Sequence, residues 1–423
     1  MNKRRISWLF LSFVIALMTG SLFLAEVGIP FSWARADVPT RTTPFPASLA
    51  PDQVCLTWSG DPATTQTVQW RTAPDVAEGA VEYRVKGRES TESIRVKADR
   101  SVIEDPLVVN DPVNHRFSAA MTGLAPATTY AYRVGDPAAD RWSDWTEFTT
   151  APADAGPFSF VYLGDAQMGF EEWSGLLRKA RDHRPETAFF TVAGDLVNRG
   201  NDREDWDGFF QAAGGVFDHC PLVPAVGNHE YTREMNPRLY LELLTLPENG
   251  PEGYFPERIY SLRYRDALFV VLDANLPPAK QRPWLEQQLA GTDCTWKFAV
   301  FHQPIYSSAP RRDNPKLRKE WGSLFDKYHV DMVFQGHDHA YLRTYPMRAK
   351  KPVASPAKGT IYVVSNSGAK HYDQEPRDYT AVGFTNVATY QIIDIETEGG
   401  HKLTYRAYDA EGMLRDEVVI EKR

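Results

Sequence analysis

Between residues 53 and 150 apolar and polar positions alternate in short runs. The clearest are 54–58 (VCLTW), 67–71 (TVQWR), 81–85 (VEYRV) and 129–134 (TYAYRV). A period of two turns one face of each run inward and the other to solvent, and polar or Gly/Pro turns separate the runs. The pattern predicts an antiparallel β-sandwich over residues 37–150, with a Pro- and Thr-rich lead-in at 37–50 and no helix. The segment TAPADAGP at 150–157 reads as a linker.

After the linker the period changes. The apolar run 158–163 predicts a buried strand, and Trp173, Leu176, Leu177 and Ala180 then recur at helical spacing. Strands are expected at 187–193, 222–226, 297–301 and 331–335. Helices are expected at 203–218 and around Leu317, Trp321, Leu324, Phe325 and Tyr328. Such alternation implies α/β layers with both sheet faces covered. Further strand-like pieces at 259–264, 268–273, 360–364, 389–395 and 403–408 require a second, mixed sheet. The expected class over 158–423 is α/β, a four-layer αββα sandwich behind the all-β one, with residues 349–358 as a loose loop.

The first 36 residues follow another rule. Lys3, Arg4 and Arg5 precede an apolar run at 8–25, and Ala34-Arg35-Ala36 comes before Asp37. That is the order of a secretory signal, and the run is also close to the length of a membrane span. Cleaved signal and uncleaved N-terminal anchor both place the working domains outside the cytoplasm, secreted or periplasmic. Only the anchor would bring the chain to a membrane.

Without residues 1–36 the formal charge moves from −8 to about −11, because four cations and one acid leave. An acidic chain repels polyanions, which argues against binding a nucleic-acid scaffold. A small phosphorylated substrate remains compatible, since metal ions reverse the local field. Cys220 lies eight residues before Asn228, and Cys294 eight before His302. On neighbouring strands they would be placed for a disulfide; two small buried side chains account for them equally well.

Five motifs that carry chemistry follow the linker, and most of them end a predicted strand. In order these are GDAQ (164–167), GDLVN (194–198), GNHE (227–230), FHQP (301–304) and GHDH (336–339). Glycine lets the chain turn sharply off the strand, so the polar residue beside it faces the cavity above the sheet. Asp165, Asp195, Asn228, His302, His337 and His339 thus offer carboxylate, amide and imidazole donors with no thiolate. Such donors suit iron, manganese, zinc, calcium or magnesium.

The motif order resembles that of calcineurin-like metallophosphoesterases. With a β-sandwich in front, reminiscent of fibronectin type III modules, it resembles the purple acid phosphatase branch. The resemblance implies two metal ions, the first held by Asp165, Asp195 and His339, the second by Asn228, His302 and His337, with Asp195 bridging. It further implies hydrolysis of phosphate esters by in-line attack of a hydroxide between the ions. His229 would face the leaving group as acid or transition-state stabiliser, and Glu230 would hold the His229 loop or ring.

Two positions depart from the family, both at the first metal. Asn198 stands where purple enzymes carry a tyrosinate, and Gln167 where other members carry a histidine. The expectation is a first site of weaker donors, completed by the Gln167 carbonyl, and a protein that is not purple. Arg199 is a candidate phosphate contact or a solvated surface residue. Tyr231, Tyr306 and Tyr341 follow three motifs and either line the pocket or pack. The acidic run 202–207 reads as a solvated helix start. A phosphomonoesterase is favoured. A phosphodiesterase with the same ligands, and a catalytically decayed extracellular binding protein, are the alternatives.

Overall fold

β-Branched and aromatic residues at alternating positions build the first part of the chain as strands. The computed structural model describes residues 39–88, 93–232, 235–254, 256–375 and 377–422; the candidate signal segment lies outside them. The first strands are β1 (Asp52–Thr57), β2 (Thr65–Thr72), β3 (Ala80–Val85), β4 (Ile94–Lys97) and β5 (Asp99–Glu104). Then come β6 (Val113–Thr122), β7 (Thr129–Asp136), β8 (Arg141–Trp142) and β9 (Thr146–Thr149). They form two sheets, β1-β2-β6-β5 and β4-β3-β7-β8, with β9 also paired to β7. Val68, Trp70, Val81, Phe117 and Tyr132 fill the space between them.

The second part begins with β10 (Phe158–Leu163), α1 (Phe170–His183), β11 (Phe190–Ala193), α2 (Arg203–Ala213) and β12 (Leu222–Ala225). The four residues at helical spacing, Trp173, Leu176, Leu177 and Ala180, are the buried face of α1. Next come α3 (Arg238–Leu243), β13 (Tyr260–Tyr264), β14 (Ala267–Val271), α4 (Pro278–Gly291) and β15 (Trp296–Val300). A continuous helical stretch follows: α5 (Pro315–Leu317), a π-helical turn at Arg318–Gly322 and α6 (Ser323–Tyr328). Then β16 (Met332–Gln335), β17 (Tyr341–Thr344), β18 (Met347–Arg348), β19 (Lys351–Pro352) and β20 (Ile361–Val364) alternate with turns. The last described strands are β21 (Thr380–Phe384), β22 (Thr389–Glu396), β23 (His401–Asp409) and β24 (Leu414–Lys422).

These strands form a six-stranded sheet, β12-β11-β10-β22-β23-β24, and a seven-stranded sheet, β13-β14-β15-β16-β20-β17-β21. Both are mixed, with a parallel core of β10, β11 and β12 in one and β14, β15, β16 and β20 in the other. The strand-helix units are therefore shared between the sheets, and the pieces at 389–395 and 403–408 complete the first sheet instead of a separate one. Phe160 lies between the sheets with its ring centroid 5.1 Å from Phe269, 5.4 Å from Phe298 and 5.7 Å from Phe334. Aromatic edges meeting faces at this spacing weld the two layers.

Three sequence expectations change. Residues 349–358 carry regular structure where none was expected: β18 pairs with β19, and a 3-10 turn spans Pro356–Lys358. Cys220 and Cys294 are free and lie in separate core clusters, on approaches to strands of different sheets. Equal offsets from two motifs set depth along a strand but not which sheet holds it. The acidic run 202–207 does start a helix, but it is not solvated. Asp207 and Arg203 are buried where α2 meets the sandwich. There Arg71 donates to Asp207 at 2.6 Å and to Asp52 at 2.9 and 2.6 Å, and Arg203 pairs with Asp111 at 2.9 Å.

Candidate metal centre

All five motifs leave the C-terminal ends of parallel strands, three from the six-stranded sheet and two from the seven-stranded one. Asp165 follows β10, Asp195 follows β11 and Asn228 follows β12; His302 follows β15 and His337 follows β16. The strand ends approach one another closely, within the first sheet and across to the second. A Cβ on Gly227 would collide with the Asp195 carboxylate, and one on Gly336 with that of Asp165. Two of the donors are themselves held in the left-handed region, Asp195 at φ 50° and His337 at φ 72°. That conformation is costly for such residues and typical of functional sites.

Two donor groups share one acid. Asp195, His302 and His337 offer ligand atoms within 4.8 Å of one another, and so do Asp165, Asp195 and His339. His302 Nε2 lies 2.8 Å from Asp195 Oδ2, 3.1 Å from Asn228 Oδ1 and 3.2 Å from His337 Nδ1. His339 Nε2 lies 3.0 Å from Asp165 Oδ2.

Backbone carbonyls set the tautomers. His302 Nδ1 is 2.8 Å from the Ala193 carbonyl and His339 Nδ1 is 3.1 Å from that of Lys370. A carbonyl only accepts, so each Nδ1 carries a proton, which leaves each Nε2 as the nitrogen that could ligate a cation. His229 is oriented the same way, its Nδ1 donating to the Asn198 carbonyl at 2.6 Å, while its backbone N–H donates to Asp195 Oδ1 at 2.8 Å.

The electrostatics call for cations. Burial opposes charge on His302, but Asp195 and Asp165 outweigh it and push the imidazole up to about 10. Burial, then the charges of His302 and Arg312, push His337 down to about 2. Asp165 Oδ2 is buried with no hydrogen-bond partner. Two acids, an amide oxygen with no hydrogen-bond partner and three imidazoles converge here out of water, a donor set that cations would satisfy, so the residues present fit metal ions.

Gln167 stands inside this shell. Its Nε2 is 3.2 Å from Asp195 Oδ2 and 3.1 Å from His339 Nε2, and its Oε1 has no partner. The two ends of an amide are assigned from its surroundings. A half-turn would put the oxygen between the same two donors.

Glu230 takes the loop, not the ring, of the two expected partners. Its buried carboxylate accepts from the N–H groups of Asp195 at 3.0 Å, Gly227 at 2.6 Å and Val197 at 3.2 Å. It staples the GDLVN and GNHE loops together and does not hold the His229 ring. Burial and then Asp195 push it up to about 8. Arg199 turns away from the cluster to Asp205 at 2.7 Å and Asp202 at 3.1 Å. Tyr231 binds Asp273 and Arg258 through its hydroxyl, Tyr306 packs on Tyr362 and Tyr379, and Tyr341 stacks on Phe384. Ring packing describes Tyr306 and Tyr341, and a buried polar cluster describes Tyr231.

The sequence reading gave no role to Arg312, Asp338 or Tyr372, which flank the donors. Arg312 contacts His337 Nε2 and lies 3.3 Å from Asp338, and the Tyr372 ring lies 4.5 Å from that of His339. Asp338 sat inside the GHDH motif, a signal that was in view. Arg312 and Tyr372 lie in loops without a spacing pattern.

The family model for the purple acid phosphatase N-terminal domain matches residues 51–150, and that for calcineurin-like phosphoesterases matches residues 158–341. A phosphoenolpyruvate phosphatase of Allium cepa is 26% identical over 375 residues, covering 81% of this chain and 74% of its own. The Fe(3+)-Zn(2+) purple acid phosphatase 12 of Arabidopsis thaliana is 25% identical over 333 residues, 73% of this chain and 68% of its own. The solved purple acid phosphatase PPD1 of yellow lupin shares the fold at a TM-score of 0.73 and 20% identity, covering 88% of this chain and 74% of that one. Two domain matches in the family's order, relatives spanning most of the chain and a shared fold converge on one assignment: the chain belongs to the purple acid phosphatase-like metallophosphoesterases, hydrolases of phosphoric ester bonds.

Proposed function

We infer that the chain is an exported phosphomonoesterase working with two metal ions bridged by Asp195. The observation that carries this is the sharing of Asp195 by two donor groups, Asp195-His302-His337 and Asp165-Asp195-His339. Asp165, Asp195 and His339 would hold the first ion, with the Gln167 carbonyl added by a half-turn of its amide. Asp195, Asn228, His302 and His337 would hold the second. Bound there, the ions supply Lewis acidity to phosphoryl oxygens and acidify a coordinated water toward a pKa of ~7.

The protein's own groups do the rest. Glu230 locks the loops carrying Asp195 and His229 in one register. With Nδ1 fixed on the Asn198 carbonyl, His229 keeps Nε2 as its exchangeable nitrogen, suited to stabilise or protonate a leaving oxygen. With Asn198 in place of the family's tyrosinate and Gln167 in place of its additional histidine, the first site favours harder or divalent ions over ferric iron. A strong visible charge-transfer band in iron-loaded protein would contradict this.

The division into a sandwich at 37–150 and a catalytic domain at 158–423 follows the change of pattern at the linker, and export rests on the order of residues 1–36. N-terminal sequencing of protein recovered outside the cytoplasm tests the latter. The reaction is tested with metal-reconstituted protein on aryl phosphate monoesters and diesters. Turnover of monoesters that is lost in Asn228→Ala and in His302→Ala supports the reading, and turnover that survives either change overturns it.

A further inference from the structure

The mouth of the centre carries a guanidinium held as a phosphate receptor would need to be held. Arg312 lies in the loop after FHQP, and its side chain is 28% exposed. Asp338, fully buried in the GHDH motif, forms an ion pair with it, its Oδ1 lying 3.3 Å from Nε. Asp338 is itself anchored to that loop, accepting from Ser307 Oγ at 2.5 Å and from the Ala309 N–H at 3.4 Å. The guanidinium lies over the Tyr372 ring at 5.1 Å, and the same ring packs against His339. Lys370 reaches that ring as well, with its Nζ 5.1 Å from the centroid. One edge of the guanidinium is thus fixed by an acid and one face by an aromatic ring, which leaves the Nη groups for an acceptor.

That acceptor is now His337 Nε2. An imidazole that gives its Nδ1 lone pair to a metal carries its proton on Nε2, and two donors cannot pair. The contact is therefore one the guanidinium exchanges for another acceptor beside the second donor group. Among the described residues Arg312 is the guanidinium that contacts a proposed metal ligand, because Arg199 is committed to the acids of α2.

We propose that Arg312, positioned by Asp338 and Tyr372, binds the terminal oxygens of the substrate phosphate and so matches the site to monoester dianions over diesters. The inference rests on the phosphoesterase reading above. A planar fork of donors suits two non-bridging oxygens sharing a dianion's charge. A diester presents less charge and a second organic group where the fork would sit.

The test compares wild type, Arg312→Gln, Arg312→Lys and Asp338→Asn, each reconstituted with metal and checked for metal content. The readouts are kcat and KM for an aryl phosphate monoester and a bis-aryl diester, and calorimetric affinity for inorganic phosphate. In Arg312→Gln, monoester KM and the phosphate dissociation constant should rise together by about 10- to 100-fold. The diester kcat/KM should stay within about threefold, with metal content retained. Arg312→Lys should recover part of the loss, and Asp338→Asn should weaken phosphate binding in the same direction. Unchanged phosphate affinity, an equal fall on both esters, or loss of metal with the arginine would each overturn the proposal. Wild type inactive on both esters would instead defeat the phosphoesterase reading.

Discussion

Among the described residues, the buried acids where the sandwich meets α2 and those at the strand ends are neutralised in opposite ways. Where the sandwich meets α2, Asp207 and Asp111 face the guanidinium groups of Arg71 and Arg203, with Thr43 and Gln53 also donating to Asp207. At the strand ends, Asp165 and Asp195 face imidazoles, one amide and an oxygen with no partner. The first cluster brings permanent cations of its own; the second brings groups that can offer lone pairs. Here the acids completed by guanidinium groups hold α2 to the sandwich, and those faced by clustered imidazoles are the candidate ligands.

The sharpest way to break the comparison is to remove one acid from each cluster. Asp195→Asn should lower turnover by about a thousandfold or more, beyond the 10–100-fold expected of outer-shell changes, and release metal with little change in the stability of metal-free protein. Steady-state kinetics with elemental analysis measures this. Asp207→Ala should leave metal content intact but cost about 3–5 kcal/mol of unfolding free energy, since Arg71 and Arg203 would stay buried without it. Urea denaturation reads that loss. A double change of Arg71→Met with Asp207→Leu should cost less than Asp207→Ala alone.

Chelation sharpens the contrast further. At free metal about 100-fold above Kd, binding adds about 2.7 kcal/mol to stability. Calorimetric scans with and without chelator should show that shift in wild type and in Asp207→Ala, and lose it in His302→Ala. A chelator response that vanishes in Asp207→Ala would mean that the two clusters are not independent.

The smallest effect concerns an acid that belongs to neither kind. Burial pushes Glu257 up to about 7, with the Leu246 N–H at 2.8 Å as its hydrogen bond. Its folded pKa lies above the ordinary value of 4.5, so its ionised form costs stability above pH 7. That cost fades as pH falls through 7 toward 4.5. Glu257→Gln should therefore melt higher than wild type at pH 8 and match it near pH 4.

Much of this was legible in the chain. Alternation revealed the sandwich, and glycine-acid and glycine-imidazole pairs at strand ends marked the donors that the structure brings together. Local pattern failed where the deciding partner was remote. Asp207 meets Arg71 across 136 residues, so helix-start chemistry was readable and burial was not. Which sheet each strand joins was equally hidden, and with it the separation of Cys220 from Cys294. α4 escaped because one of its four buried positions is the polar Gln281 and Pro283 lies inside it. Arg312 escaped because its meaning depends on Asp338 and Tyr372, which come from two other segments.

The central claim is that one centre holds two ions through a shared Asp195. Metal titration of chelated protein, followed by elemental analysis, tests it most directly. The account predicts two ions per chain in wild type and less than one in Asp195→Asn. One ion in wild type, or two retained without the Asp195 carboxylate, would contradict it.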